Sequence, residues 1–150
     1  MRIELALSLP REAISVPLAR HTVSAALATA GVELACVNEV EVALSEACTN
    51  AVQHAVAGVT YEVMVGISDE QVSIDVVDSG SGFGQRTISP DGNDHWAEDG
   101  RGMALMNALS DLAIFDSVDG GGGTVHLTKR LRWSQGAQQP GPAPSVERPR

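Results

Sequence analysis

The segment from Asn38 to Ala57 constrains this chain more than any other, because a single helix there has to satisfy two stripes of opposite character. Val40, Ala43, Leu44, Ala47, Ala51 and Ala55 recur close to the helical period and predict a buried face. Asn38, followed three positions later by Glu41, predicts a capping box at the start, and Gly58 predicts the stop. Glu46, Asn50 and His54 stand at i, i+4 and i+8, so they stack on one side of the same helix. A carboxylate and an amide set among Ala, Val and Leu are unfavourable if buried without partners, so the stripe either faces water or serves a ligand. The helix alone leaves both readings open.

Around this helix the sequence predicts one domain, residues 1–133, followed by a disordered tail over 134–150 in which Gln, Pro, Gly, Ala and Ser dominate. Ile3, Leu5, Leu7 and Leu9 alternate with Arg2, Glu4, Ala6 and Ser8, the pattern of a half-buried strand. Ser15 and Pro17 mark a helix start, and the Ala- and Leu-rich run from Leu18 to Ala30 is ended by Gly31. Beyond the central helix, Tyr61, Val63, Val65 and Ile67, and then Val72, Ile74 and Val76, give two strands joined by a tight turn over Ser68 to Glu70. Ala113 to Ser117 and Thr124 to Leu131 read as two more, with a hairpin turn over Asp119 to Gly123.

A net charge of −9 with a pI near 4.7 argues against nucleic acid as a partner, since phosphate-backbone binding needs clustered Lys and Arg. The two cysteines, Cys36 and Cys48, lack metal-ligand spacing and read as small buried residues suited to a reducing compartment. No apolar run is long enough to span a membrane and no secretory leader is evident, so a cytoplasmic location is expected.

Two glycine-rich stretches complete the pattern. Asp78-Ser79-Gly80-Ser81-Gly82-Phe83-Gly84 follows a strand without opening a helix, so it is not a dinucleotide-binding turn; Gly80 and Gly82 permit close approach of the backbone to a ligand, or simply a turn. Gln85 to Asp99, with His95 and Trp96, reads as a mobile loop or lid. Gly100-Arg101-Gly102-Met103-Ala104-Leu105-Met106 then opens a helix whose free N–H groups form an anion site, with a fixed positive charge from Arg101. Met103 and Met106 read as core residues.

Taken together and in this chain order, the acid and amide of Glu46-Ala47-Cys48-Thr49-Asn50-Ala51-Val52-Gln53-His54-Ala55, the box from Asp78 to Phe83 and the box from Gly100 to Met106 resemble the Bergerat-fold, histidine-kinase-like ATPases. Within that group the similarity, over roughly Leu5 to Arg132, is to the bacterial anti-sigma-factor serine/threonine-protein kinases. The resemblance implies an α/β fold, an α+β two-layer sandwich with a mixed, mostly antiparallel sheet and helices on one face. It implies ATP and Mg²⁺ as cofactors, with Asn50 as metal ligand, Asp78 accepting from the adenine amino group, and Gly80 and Gly82 admitting the base. Gly100, Arg101, Gly102 and Met103 fall in the phosphate-side box, and Thr124 holds the adenine side through water. Glu46 becomes the general base for a serine or threonine hydroxyl. His54 becomes structural support. The implied partners are a sigma factor, a phosphorylatable anti-sigma-factor antagonist and a second copy of the chain in a homodimer. A non-catalytic, nucleotide-dependent binding switch is the alternative, and a structural domain whose glycines are only turns is a third reading.

Overall fold

In the computed structural model, residues 1–53, 60–78, 100–118 and 122–136 are described. The order of elements is β1 (Arg2–Pro10), α1 (Ser15–Ala30), α2 (Leu34–Gln53), β2 (Thr60–Ser68), β3 (Gln71–Val77), α3 (Gly100–Leu109), β4 (Leu112–Val118) and β5 (Gly122–Arg130). The five strands form one sheet in the order β1-β2-β3-β5-β4, and every pairing is antiparallel, so the sheet is antiparallel throughout the described residues. Inserting β5 between β3 and β4 leaves β1 and β4 as the edges.

Period-2 alternation explains which face is covered. Tyr61, Val63, Val65 and Ile67 of β2, Val72, Ile74 and Val76 of β3, and Val125 and Leu127 of β5 are buried, and all three helices pack on that side. The α1 residues Ser15, Ala19, Val23 and Leu27, at intervals of four, make its buried stripe. In α2 the small side chains of Ala43, Ala47 and Ala51 let neighbouring elements approach closely, while Leu44 is wholly buried. Losing such a side chain to alanine removes roughly 2–5 kcal/mol. Met106, also wholly buried, fixes α3 to the same core, and Met103 packs against it.

Helix ends follow local chemistry. Gly31 adopts φ 97°, a left-handed conformation that glycine takes without penalty, and its N–H bonds to the Ala28 carbonyl at 3.0 Å while Val32 N–H reaches Leu27 O at 3.1 Å. This paired closure ends α1 where the sequence predicts. The predicted start of α2 is corrected. The helix begins at Leu34, so Asn38 lies inside it and forms no cap. Burial of Cys36 and Val37 against the core outweighs the preference of Asn38 for a helix terminus. The stop at Gly58, His54, the 79–99 segment with Gly80, Gly82, His95 and Trp96, the hairpin tip and tail residues 137–150 lie outside the described residues. Both cysteines are free and buried, as expected. Among the described residues, no helix is long and apolar enough to cross a membrane.

Candidate functional site

The antiparallel order gathers the ends of β1, β3 and β4 with the starts of β2 and β5 at one end of the sheet, under the C-terminal half of α2. There Asn50, Asp78 and Thr124 line one cleft, with Ala47, Ala51 and Val76 as part of its apolar wall. Three residues far apart in sequence are thus brought together. Asp78 is set at the strand exit by its N–H, which bonds to the Gly123 carbonyl at 2.9 Å and ties β3 to the start of β5. Thr124 follows directly and pairs with Val77 on one side and Asp116 on the other.

Asn50 is only 5% exposed, and among the described residues its side-chain Nδ2 has no hydrogen-bond partner. A buried amide donor left open costs about 1–3 kcal/mol, which is characteristic of ligand sites rather than of a finished core. Glu46, one turn earlier on the same face, is half-buried. The first turn of α3 lies directly against this pair: a Cβ at Gly102 would come 2.8 Å from Glu46 Oε2 and 3.9 Å from Asn50 Oδ1. Glycine at 102 therefore lets the α3 backbone approach the acid and the amide. Gly100 and Arg101 share that turn, where the first N–H groups of the helix have no intrahelical partners.

These donors suit Mg²⁺. A carboxylate and an amide oxygen are hard ligands, and this ion commonly takes one or two protein oxygens and completes its shell with phosphate and water. Among the described residues no group of three or more His, Cys, Asp or Glu is arranged to hold a metal on its own; the Asn50 side-chain oxygen suits an ion that takes its other ligands from phosphate and water, and the Glu46 carboxylate stands beside it.

Sequence reasoning missed Arg11. Its guanidinium forms an ion pair with the Asp78 carboxylate, and each side chain is 2% exposed. Burial lowers the Arg11 pKa from its ordinary value, yet arginine starts so high that the group stays charged near neutrality. Arg11 follows Pro10 in what reads as an unremarkable connection. The only available signal was a lone cation between a strand and a helix. Asp116 and Phe115 of β4 also line the cleft and were not singled out.

Beneath the site, Tyr61 OH and Ser15 Oγ are 2.6 Å apart in a buried pair, and Ser15 Oγ donates to the Glu12 carbonyl at 2.8 Å. Burial pushes the neighbouring Cys48 thiol up to about 12, with the Tyr61 hydroxyl acting in the opposite sense. Cys48 is therefore a neutral packing residue, not a nucleophile.

Comparison with known proteins gives the family of the chain. A family model described as the histidine kinase-like ATPase domain matches residues 9–129. A protein of Bacillus licheniformis named serine-protein kinase RsbW is 35% identical over 127 residues, covering 77% of this chain and 78% of that protein. One of Pasteuria penetrans named anti-sigma F factor is 33% identical over 125 residues, covering 78% of this chain and 83% of that one. Among solved structures, the RsbU and RsbW domains of Rv1364c from Mycobacterium tuberculosis superpose with a TM-score of 0.66 at 25% identity over 86% of this chain. The present chain spans only 32% of that longer one.

Proposed function

Because the chain belongs to the histidine kinase-like ATPase domain family, with relatives named as serine-protein kinases and anti-sigma factors, we propose that it binds Mg-ATP in the cleft lined by Asn50, Asp78 and Thr124 and phosphorylates a serine or threonine on an anti-sigma-factor antagonist. In this reading residues 1–133 are the ATPase domain, and the same protein sequesters a sigma factor, releases it when the antagonist binds, and acts as a homodimer in the cytoplasm. The observation that carries the proposal is Asn50: a buried amide with an open donor, in the same cleft as a buried carboxylate from a different element.

Each residue has a physical task. Asp78 accepts from the adenine amino group, Thr124 meets the base through water, and the apolar wall excludes solvent from the ring. The first turn of α3, with Gly100, Arg101 and Gly102, presents N–H groups and positive charge to the phosphates. Asn50 would hold Mg²⁺ through its side-chain oxygen, and the ion would supply charge neutralisation of the phosphate oxygens when bound. Glu46 accepts the proton of the attacking hydroxyl as its oxygen bonds to the γ-phosphorus and the bond to the β-phosphate oxygen breaks, releasing ADP.

Glu46→Gln tests this directly. Calorimetric titration should find ATP affinity nearly intact, while single-turnover transfer to candidate antagonists falls roughly a hundredfold or more. Transfer at the wild-type rate by Glu46→Gln would assign the base elsewhere. ATP binding without transfer to any antagonist would favour the nucleotide-dependent binding switch.

A further inference from the structure

Arg11 has no part in the proton transfer or the phosphate contacts, yet it is among the most deeply buried charged side chains described, and its partner lines the cleft. Its backbone is held as tightly as its side chain. Glu12 N–H bonds to the Pro10 carbonyl at 2.8 Å, placing Arg11 at the centre of a three-residue turn, and Ser15 N–H bonds to the Glu12 carbonyl at 3.0 Å. The turn emerges from the end of β1, which pairs with β2, itself paired with β3, so the guanidinium reaches Asp78 across the sheet end. A buried ion pair is rarely retained for stability alone, since well-packed apolar residues of the same volume do as well or better. A carboxylate fixed at the wall of a cleft has another use.

We propose that Arg11 is a positioning residue for base selection: it holds the Asp78 carboxylate in one orientation as an acceptor, so that the cleft favours a purine bearing a 6-amino group over one that lacks it. The inference rests on the nucleotide reading of the cleft and adds the residue that makes the reading base-specific. A guanidinium does this better than an ammonium because its planar fork restricts the carboxylate's rotation, whereas a lysine supplies charge at a point. A carboxylate held in this way also meets the 6-carbonyl of guanine acceptor to acceptor, which disfavours that base.

The experiment compares Mg-ATP with the triphosphate of purine riboside, which has no 6-amino group, by calorimetric titration on the full chain. Wild type should prefer ATP by roughly tenfold or more, the scale of a charge-assisted hydrogen bond. Arg11→Met should bring the two affinities within about threefold of each other, and Arg11→Lys should keep most of the preference. If Arg11→Met does not fold, Arg11→Gln takes its place, and the preference should fall in the order Arg, Lys, Gln. A purely structural role would weaken both ligands equally and leave the ratio unchanged, which would overturn the inference while the nucleotide reading stands. Wild type that binds both equally would overturn the role of Asp78 and this inference with it, and wild type that binds neither would overturn the nucleotide reading itself.

Discussion

The two ends of the interface between α2 and the sheet are built to opposite rules. At the end away from the cleft, Lys129 Nζ lies 2.6 Å from Glu39 Oε2 and donates to the Leu109 carbonyl at 2.8 Å. Arg132 bonds to Glu39 at 3.1 Å and to Glu33 at 3.2 Å, and Trp133 Nε1 donates to the Asp69 carbonyl at 2.9 Å. At the cleft end, eleven positions further along α2, Asn50 keeps a buried donor open and Gly102 leaves out the side chain that would fill the gap. One end spends its polar groups on itself. The other leaves the Asn50 amide open, and that difference separates a structural polar cluster, whose Glu33, Glu39 and Arg132 side chains stay partly exposed, from a binding site walled by the buried Asn50 and Asp78.

Four measurements can break or sharpen the contrast. The largest effect belongs to Asn50→Ala, which should lower both Mg-ATP affinity and phosphotransfer by roughly a hundredfold. It should leave urea-unfolding stability unchanged or raised by about 1 kcal/mol, because the open donor is removed. A marked loss of stability would mean that the amide is satisfied in the native state. Next, Gly102→Ala should keep or improve stability, as alanine is the better helix former by about 1 kcal/mol. It should slow phosphotransfer roughly tenfold, since the new methyl displaces the Glu46 carboxylate, a mobile group that yields without unfolding. At the opposite end the expected pattern reverses. Lys129→Met should destabilise by about 1–2 kcal/mol, leaving the Leu109 carbonyl without its side-chain donor and Glu39 with Arg132 alone, and ATP affinity should hold within about threefold. Equal damage to binding and stability would show that the ends are not separable.

The smallest effect is pH-dependent. Hydrogen bonding from Lys129, and then from Arg132, holds Glu39 below its ordinary carboxyl pKa of 4.5. A depressed carboxylate pKa contributes stability that is present above the unfolded value and lost as pH falls through the lower folded value. Solvent screens this partly exposed pair, so the contribution is under about 1 kcal/mol. Comparison of wild type with Glu39→Gln across the acid range below 4.5 should find the curves converging, whereas curves that stay parallel would assign the acid sensitivity to another carboxylate.

What was readable from the sequence follows from the same contrast. Strands β2 and β3 were legible because alternation is strict where one face is buried, and α3 was legible from its glycine start and methionine spacing. Glu46 and Asn50 were legible as a pair because helical period alone stacks them. The start of α2 was not, since a local capping signal at Asn38 lost to tertiary burial of Cys36 and Val37. Lys129 occupies an inward position between Leu127 and Leu131, where a charge is expected to point outward until its partners on α2 and α3 are known. Arg11 could not be found without the strand order, because the sheet and not the sequence brings it to Asp78.

The inward position of Lys129 has a consequence for how the sheet chooses its alignment. Slipping β5 along β3 by two residues would keep every apolar side chain on the correct face, so hydrophobic burial alone tolerates the error. Such a slip would carry Lys129 roughly 7 Å from Glu39, and it would carry Thr124 the same distance from Asp116 and the cleft. The cation cluster thus works as an alignment mark for assembly. By rejecting the slipped pairing at one end of β5, it fixes which residues arrive at the other, about 17 Å away.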